Sequence, residues 1–435
     1  MSTTPASPPV PPAAPTPVSG ASPRPRGRLL TLPVVSWVFY DFANTIFSYV
    51  VLTRYFTEWV VIERGRPDWY IGVMSACVAL ALAVALPFFG ALADRRGRNK
   101  PFLIGFTLAS VAATAALGFT GPVLAALVVA GVAIFAFNSA EAQYHPLLAT
   151  VAAPAQRSRV SGIGVGVGYL GALLALIGLG AVVPDGENQR AFVPTAALFG
   201  LFALPCLLLV HDRRRPAGMM PSLAGLGASA LGQVVRSVRA ARGRPHGRFL
   251  IARFLYVDAI ATVIAFMTVY ARRTGDFSAG EIDALLAAST VCAILGALTA
   301  GLVSEWIGPR RVVLATLVVV GAAMLAAGLS GAGALLWVVG PLVGAALGSV
   351  TASDRILMLA LLPPERRSEG FGLYALIGKV SNGFGPLVLW SGTIWLLSEG
   401  LEVAGPLVAS RAAVCVLALT ALGGAAVLRG VPDSR

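Results

Sequence analysis

Charged residues are scarce in this sequence. Lys, Arg, Asp and Glu together make up 12% of the 435 residues, about half of the roughly 25% found in average soluble domains. Hydrophobic residues make up 57% of the chain, and the mean hydropathy is +0.79. Too few charges are present to cover the surface of a soluble protein. The composition therefore excludes a soluble enzyme, a nucleic-acid binder and a secreted disulfide scaffold.

Cysteine and histidine are also rare, with four and three residues. The cysteines lie far apart in separate apolar stretches, and we expect buried, inert thiols at Cys77, Cys206, Cys292 and Cys415. The histidines are His145, His211 and His246. They form no nucleophile–base or metal-binding pattern, which argues against an intramembrane enzyme. The sequence predicts no catalytic residue, no metal site and no cofactor.

Long hydrophobic stretches are abundant. About 20 apolar residues cross a bilayer as a helix, and the chain contains twelve stretches of that kind. The predicted spans are 34–62, 69–93, 101–120, 122–149, 160–183, 191–210, 249–271, 283–304, 311–329, 333–361, 371–397 and 404–428. The sequence therefore predicts an all-α membrane protein that crosses the bilayer twelve times.

The basic residues predict the orientation of the spans. The net charge of +13 would suggest nucleic acid in a soluble chain, but here the arginines lie in short loops. With the N-terminus inside, 23 basic residues fall on the cytoplasmic side and six on the opposite side. Cytoplasmic loops of membrane proteins carry the excess of Lys and Arg. We therefore predict that both termini are cytoplasmic.

The spans divide the chain into five regions. We predict a disordered Pro-rich tail (1–30), an N-terminal six-helix bundle (31–210), a basic linker (211–248), a C-terminal six-helix bundle (249–428) and a short tail (429–435). The linker carries apolar and basic residues at helical spacing: Leu231, Val234, Val235 and Val238, with Arg236, Arg239 and Arg242. This pattern fits a helix lying on the anionic lipids of the inner leaflet. A solvated linker with an incidental apolar face fits it equally well.

The two predicted bundles share an internal repeat. Gly90–Gly97 (GALADRRG) resembles Gly301–Gly308 (GLVSEWIG), with the same spacing from glycine to acid to glycine at an offset of 211. The segment from Pro154 to Gly162 resembles the segment from Pro364 to Gly372 at an offset of 210. Two matches at nearly one offset indicate a duplicated six-helix unit with parallel halves.

The first of these segments resembles the loop 2–3 signature of the major facilitator superfamily. Its motif reads GALADRRGRNK from Gly90 to Lys100. The resemblance implies a loop that acts as a conformational latch when the two halves rock. The latch residues implied here are Gly90, Asp94, Gly97 and Arg98, with Glu305 and Gly308 as a degenerate second copy. Within that loop, the aspartate is expected to cap a neighbouring helix N-terminus. A plain positive-inside anchor is the alternative.

Four further segments are similar to the Atg22-like (UMF1) branch of that superfamily. They are WVFYDFANTIFSYVVL (37–52), RVSGIGVGVGYLGALL (159–174), RFLYVDAIATVIAF (253–266) and LLPPERRSEGFGLYALIGKVSNGFGPLV (361–388). The fungal founder of the branch exports amino acids from the vacuole. The resemblance therefore implies efflux or exchange of a small solute, with amino acids as the leading class.

Placing an ionisable side chain in lipid is energetically unfavourable, so the ionisable residues within the predicted spans are expected to face a polar cavity. In span 1 a polar stripe recurs at helical spacing, at Asp41, Asn44, Thr45 and Ser48. Asp258 and Thr262 occupy the corresponding region of span 7, and the resemblance implies that spans 1 and 7 line a central cavity. Asp41 and Asp258 could carry a coupling proton there, or could lock helices by hydrogen bonds. Arg253, near the end of span 7, is expected to extend toward the lipid headgroups.

Spans 4, 10 and 11 also contain polar residues. Asn138, Glu141 and His145 share one face of span 4, and His145, before Pro146, is expected to be structural. Asp354 and Arg355 point about 100° apart on span 10. Lys379 and Asn382 share a face of span 11. Lys379 could snorkel, pair with an acid such as Asp354, or bind a substrate carboxylate.

Together these features predict a secondary active transporter that moves a small polar solute across the bacterial cytoplasmic membrane. We expect proton-coupled efflux or exchange, with Asp41 and Glu141 as proton carriers and Lys379, Asp258 and Arg355 around the solute. The expected partners are the solute, protons and anionic lipids; we expect a monomer and no nucleic acid. A drug or metabolite exporter of the same fold is the alternative, and a non-transporting sensor or scaffold is a more distant one.

Overall fold

The computed structural model describes residues 30–153, 156–212, 232, 235–275, 277–362 and 367–432. The predicted N-terminal tail up to residue 29, residues 213–231 and 233–234 of the linker, and residues 433–435 lie outside this part. Leu231 and Val234 of the predicted amphipathic helix are therefore not described. Val235 and Val238 lie in a short helix over residues 235–241, where both side chains are exposed.

The described part of the chain is helical and contains no strand. We number the long helical segments α1 to α12, including short π-helical or 3-10 stretches that continue them. Their bounds are Leu32–Glu63 (α1), Trp69–Arg96 (α2), Lys100–Leu117 (α3), Val123–Val151 (α4), Arg157–Gly180 (α5), Asn188–Leu209 (α6), Pro245–Gly275 (α7), Ala279–Ile307 (α8), Pro309–Ser330 (α9), Gly333–Leu361 (α10), 367–400 (α11) and Pro406–Arg429 (α12).

Eleven of these segments are long and apolar enough to cross a membrane. Segment α11 is the exception by composition, although it coincides with the predicted eleventh span and is helical from residue 367 to residue 400. The twelve predicted spans therefore each correspond to a helix. The bounds agree to within four residues, and the largest differences at a start are those of α7, α8 and α11, which each begin four residues before the predicted span.

Local sequence signals explain where several helices begin and end. Ser278 caps α8 in a capping box with Glu281. At the other end of α8, Gly308 adopts a φ of 90°, a backbone conformation that residues with a side chain rarely adopt. Pro309 is the first residue of α9. A backbone N–H at this position would have no partner within the helix, so proline is tolerated there.

The helices pack mainly within two groups. In the first group α1 packs against α5 and α6, and α3 packs against α4 and α6. In the second group α7 packs against α11 and α12, and α8 packs against α10. The main contacts between the groups are those of α2 with α11, of α5 with α8 and of α1 with α7. A central cavity therefore lies between the two halves.

Lys100 and Arg310, 210 positions apart, make equivalent contacts in the two halves. Lys100 begins α3, and its Nζ donates to the carbonyl oxygens of Leu208 and Val210 at the end of α6, at 3.3 and 2.6 Å. Arg310 lies in the first turn of α9, and its Nε donates to the carbonyl oxygen of Leu428 near the end of α12, at 3.3 Å. This equivalence extends the sequence repeat to side-chain contacts.

The cysteines are all free in the described part of the chain, but the expectation that all four are buried is wrong. Cys206 is buried, Cys292 and Cys415 are half-buried, and Cys77 is exposed. Cys77 lies on α2, a helix with much of its surface exposed, which explains the difference.

Candidate functional site

A cavity with a volume of about 410 Å³ lies between the two halves. Helices α1, α2 and α4 form one wall, and α7, α10 and α11 contribute to the other. Its polar lining residues are Asp41, Asn44, Thr45, Ser48, Thr53, Thr57, Ser75, Asn138, Glu141, Lys379 and Asn382. Six of the nine predicted site residues are therefore brought together: Asp41, Asn44, Asn138, Glu141, Lys379 and Asn382.

Lys379 crosses the cavity to bind α4. Its Nζ donates to Glu141 Oε2 at 2.5 Å and to Asn138 Oδ1 at 2.6 Å. The two charged side chains are about a quarter exposed, so the pair faces the cavity and not the packed interior of either half. Of the three roles considered for Lys379, the structure shows pairing with an acid, but with Glu141 and not with Asp354.

Asp41 lies on the α1 wall of the same cavity. Its side chain is half-buried and makes no ion pair with any described residue. Gly164 of α5 packs directly against it: a Cβ there would collide with Asp41 Oδ2 and lie 2.9 Å from the Trp37 ring. The glycine at this position therefore leaves the room that the Asp41 carboxyl group occupies.

His145 also belongs to this region. Its Nε2 lies 3.6 Å from Glu141 Oε1, and 63% of its side chain is exposed. The exposed ring lies beside a cavity carboxylate and contributes little packing, and the expectation of a structural histidine stays a prediction. The spacing of Glu141 and His145 by four residues, one helical turn, was the available signal.

Three predicted site residues do not line the cavity. Asp258 is fully buried and its Oδ1 accepts the N–H of Gly385 at 2.8 Å. Asp354 is fully buried in the second half. Arg355, the next residue, is exposed. Asp354 and Arg355 therefore point in different directions, as their spacing predicted.

Arg253 forms a buried cluster with Asp354 and Tyr374, so the expectation that it reaches the lipid headgroups is wrong. Its Nε lies 3.0 Å from Asp354 Oδ2. The Tyr374 hydroxyl donates to Asp354 Oδ1 at 2.6 Å, and the guanidinium stacks 3.7 Å from the Tyr374 ring centroid. A buried arginine needs such a partner, and sequence spacing could not reveal one 101 positions away.

Ion pairs close the cavity at one end. We call this end the α1–α2 face, since α1 ends and α2 begins there; the opposite end, with the loop from α2 to α3, is the α2–α3 face. Arg54 of α1 binds Glu58 of the same helix and Asp283 of α8, each at 2.6 Å. Arg272 of α7 binds Glu58 at 2.8 Å. Ion pairs therefore connect the two halves at this face.

Arg272 also binds Asp185, in the connection between α5 and α6. This hydrogen bond lowers the pKa of the Asp185 carboxyl group, which is therefore ionised at neutral pH.

A second group of contacts at the α1–α2 face surrounds Asp68. The Asp68 carboxylate accepts two hydrogen bonds from Arg273, at 3.0 and 2.7 Å, and one from Trp390 Nε1 at 2.8 Å. Asp68 belongs to the first half, whereas Arg273 and Trp390 belong to the second. The carboxylate is nearly fully buried, so this contact is shielded from solvent.

Sequence reasoning missed the ion pairs of the α1–α2 face. Two signals were available: the four-residue spacing of Arg54 and Glu58, and the Arg272–Arg273 pair on a side where basic residues are few. Neither signal identifies the partners, since Asp283 is 229 positions from Arg54 and Asp68 is 205 positions from Arg273.

The predicted latch residues lie at the α2–α3 face. Gly97 adopts a φ of 64° and Gly308 a φ of 90°, so both turns require glycine. Gly90 has open space around it. The side chains of Arg98 and Glu305 are exposed, and that of Asp94 lies outside the described part.

A different aspartate caps the helix that follows the latch motif. Asp212 Oδ2 accepts the backbone N–H groups of Asn99 and Lys100, at 2.6 and 2.7 Å. These groups begin α3, where the positive end of the helix dipole favours a carboxylate. The expected type of cap is present here, but it comes from the chain after α6.

The chain is similar to known proteins both in sequence and in fold. Residues 70–394 match the family described as "Vacuole effluxer Atg22 like". The chain belongs to the Atg22-like family. Relatives of this Atg22-like chain include the uncharacterized MFS-type transporter YxiO of Bacillus subtilis, 28% identical over 382 residues, which cover 81% of this chain and 86% of YxiO. Autophagy-related protein 22-1 of Neosartorya fischeri is 26% identical over 283 residues, covering 58% of this chain and 46% of that protein.

The fold of the Atg22-like chain is that of the major facilitator superfamily. The crystal structure of the nucleoside transporter NupG matches it with a TM-score of 0.68 at 13% identity, covering 92% of this chain and 99% of NupG. Such low identity shows the fold alone. With the family match, it identifies the chain as a multi-pass membrane transporter of the major facilitator type.

Proposed function

We propose that the chain moves a small zwitterionic solute, with amino acids as the leading class, by proton-coupled efflux or exchange across the bacterial cytoplasmic membrane. The observation that carries this proposal is the Glu141–Lys379 pair, which spans the cavity between the halves. A zwitterion presents one carboxylate and one ammonium group, and the Glu141–Lys379 pair presents one charge of each sign to meet them.

In the proposed mechanism the solute replaces the Glu141–Lys379 contact. The solute carboxylate binds Lys379 Nζ, and the solute ammonium group binds Glu141. Each protein charge exchanges one partner for another, so no unpaired charge is left in the cavity. Asn138 and Asn382 line the same cavity and can hydrogen-bond the solute. A solute with a single charge would leave one of the two side chains unpaired.

Access to the cavity alternates as the two halves rock. The ion pairs of Arg54, Arg272 and Arg273 hold the α1–α2 face closed in this structure. On the predicted topology, that face lies away from the cytoplasm, and the conformation is inward-facing. Opening it requires the buried ion pairs between the halves to separate, and the latch at the α2–α3 face would form as they do.

The proposed coupling ion is the proton, and Asp41 is its proposed carrier in the cavity. Asp41 has no ion pair among the described residues, whereas Glu141 is paired with Lys379. An unpaired carboxyl group in a low-dielectric cavity can take up a proton at moderate cost. Glu141, which the sequence suggested as a second carrier, is better suited to binding the solute.

The test is uptake of a panel of labelled amino acids into proteoliposomes, with and without a pH gradient. Wild-type protein is compared with Asp41→Asn and with Glu402→Gln, a matched change at an exposed acid outside the cavity and the latch. We expect gradient-driven flux of at least one amino acid, lost in Asp41→Asn and retained in Glu402→Gln. If no amino acid moves while a singly charged lipophilic compound does, the proposed substrate class is wrong.

A further inference from the structure

Asp258 differs from the other buried acids of the described residues in having no basic partner. Glu58, Asp68 and Asp354 each bind an arginine. Asp258 is fully buried, and none of the described basic residues forms an ion pair with it. An uncompensated buried carboxylate is strongly unfavourable. The absence of a described counter-charge therefore favours the neutral acid.

The surroundings of Asp258 provide a place for the proton. Oδ1 accepts the Gly385 N–H, but Oδ2 has no described partner, and neither has the buried hydroxyl of Thr262. Thr262 follows Asp258 by one helical turn. Both side chains face Gly385, where a Cβ would collide with Thr262 Oγ1 and lie 2.7 Å from Asp258 Oδ1. The two groups form no hydrogen bond with each other as they stand, but a proton on Oδ2, together with a rotation of the side chains, would allow the carboxyl group to donate to Thr262 Oγ1.

The groups packed around this site leave it without a competing charge. On α7, Arg253 is held by Asp354, and Tyr256 is buried and neutral at ordinary pH. On α11 the group that faces Asp258 is the backbone of Gly385. Gly424 of α12 packs against the backbone of Tyr256 and adds no charge.

The site lies behind the wall of the solute cavity. Ala261 of α7 and Asn382 and Pro386 of α11 line the cavity, whereas Asp258 and Thr262 do not. A group bound at Asp258 is therefore separated from the solute by one layer of residues. This separation distinguishes the site from Asp41, which lines the cavity itself.

Asp258 is joined to the closed face through α11. Gly385 begins the π-helical segment Gly385–Ser391, and Trp390 and Ser391 at its end both donate to Asp68 of the first half. Hydrogen bonds to an ionised acceptor are about twice as strong as those to a neutral one. Protonation of Asp258 therefore weakens its bond to Gly385 at the start of the segment that holds the α1–α2 face.

We propose that Asp258, Thr262 and Gly385 form a proton-binding site separate from the solute cavity, whose occupancy controls how firmly α11 holds the α1–α2 face closed. The proton adds to Asp258 Oδ2, and a rotation of the side chains then lets the O–H donate to Thr262 Oγ1. When the proton leaves, the carboxylate binds the Gly385 N–H more strongly. This inference rests on the proton coupling in the proposed function and adds a second proton site to it.

Infrared spectroscopy of the full chain in liposomes tests the site directly. A neutral carboxyl group gives a C=O stretching band that a carboxylate lacks. We expect such a band in the wild type, its loss in Asp258→Asn, its persistence in Asp41→Asn, and a shift of its frequency in Thr262→Val. If Asp258→Asn removes no band, Asp258 is ionised and the proposal is overturned. The wild-type band and its shift in Thr262→Val decide the question even if Asp258→Asn fails to fold.

Transport assays test the role of the site. Solute exchange needs no net proton movement, whereas accumulation driven by a pH gradient does. We expect Asp258→Asn to lose accumulation while exchange persists; accumulation equal to wild type would overturn the coupling role. If the wild type shows no proton-driven flux but the Asp258 band is present, the coupling in the proposed function fails while the proton site is supported.

Discussion

Lys379 and Glu141 form an ion pair of 2.5 Å although 238 positions separate them and they belong to opposite halves of the fold. The two side chains are 29% and 26% exposed, so a molecule in the cavity can reach both. A pair that is accessible and joins the halves can respond to the solute and to the rocking of the halves at once. The first prediction tests this property.

Removal of one member of the pair is expected to be worse for stability than removal of both. Lys379→Met leaves Glu141 without its cation, and Glu141→Gln leaves Lys379 without its anion. The double variant leaves neither charge unpaired. We expect the double variant to unfold at a higher temperature than either single variant, while none of the three transports the zwitterion. Thermal unfolding in detergent and proteoliposome uptake measure the two effects. Additive losses of stability would show that the pair is not coupled.

Gly164 is expected to be required for function although it carries no functional group. A Cβ at this position would collide with Asp41 Oδ2, whereas Gly166, two residues further along α5, has nothing within 4 Å. Gly164→Ala should therefore displace the Asp41 carboxyl group and reduce gradient-driven flux. Gly166→Ala is the matched control and should behave like the wild type. Equal flux in the two variants would argue against a role for the position of Asp41.

Loss of the Asp68 charge is expected to open the α1–α2 face. Asp68→Asn leaves Arg273 without its anion in a buried contact between the halves, which favours the conformation in which these groups separate. In a background without the native cysteines, a reporter at Thr53→Cys in the cavity should react faster with an impermeant thiol reagent added at that face. Glu187→Gln is the control, because Glu187 binds Arg190 within one connection of one half. Similar labelling rates in both variants would contradict the proposed closure.

The Arg253–Asp354 cluster is expected to contribute to stability and not to solute binding. Asp354→Asn leaves a buried arginine uncompensated, and breaking such a pair costs about 3–5 kcal/mol. Tyr374→Phe removes one hydrogen bond to Asp354 and should cost about 1–3 kcal/mol. Thermal unfolding measures both, and the solute affinity of the folded fraction should be unchanged. A weakened affinity at unchanged stability would instead place the cluster in the binding site.

The architecture could be predicted from periodicity and composition, because the helices and their repeat are encoded by short stretches of the sequence. Apolar length predicted the twelve spans, and the repeat of Gly90–Gly97 in Gly301–Gly308 indicated two related halves. The polar stripe that begins at Asp41 lines one wall of the cavity, as its helical spacing predicted. Lys379 and Asn382, which share a face of α11, line the opposite wall. A helical face can be read from spacing alone.

The sequence could not show which side chains meet across the halves. Lys379 had three possible roles, and its partner Glu141 was considered only as an unpaired acid. Arg253 was assigned to the headgroups, because its position near a helix end suggested lipid more readily than an acid on α10. The contacts of Arg54, Arg272 and Arg273 depend on how two bundles are placed against each other. No periodicity within either bundle contains that information.

The contacts of Lys100 and Arg310 connect membrane insertion to mechanical stiffness. Both residues belong to the excess of basic charge that predicts the orientation of the chain. Both also donate to carbonyl groups at the end of the sixth helix of their own half. These hydrogen bonds join the third helix of each half to the sixth. A half whose first three helices are hydrogen-bonded to its last three can tilt as a rigid body. On the predicted topology, the same two positive charges would therefore serve both the orientation of the chain in the bilayer and the contact between the third and sixth helices of each half.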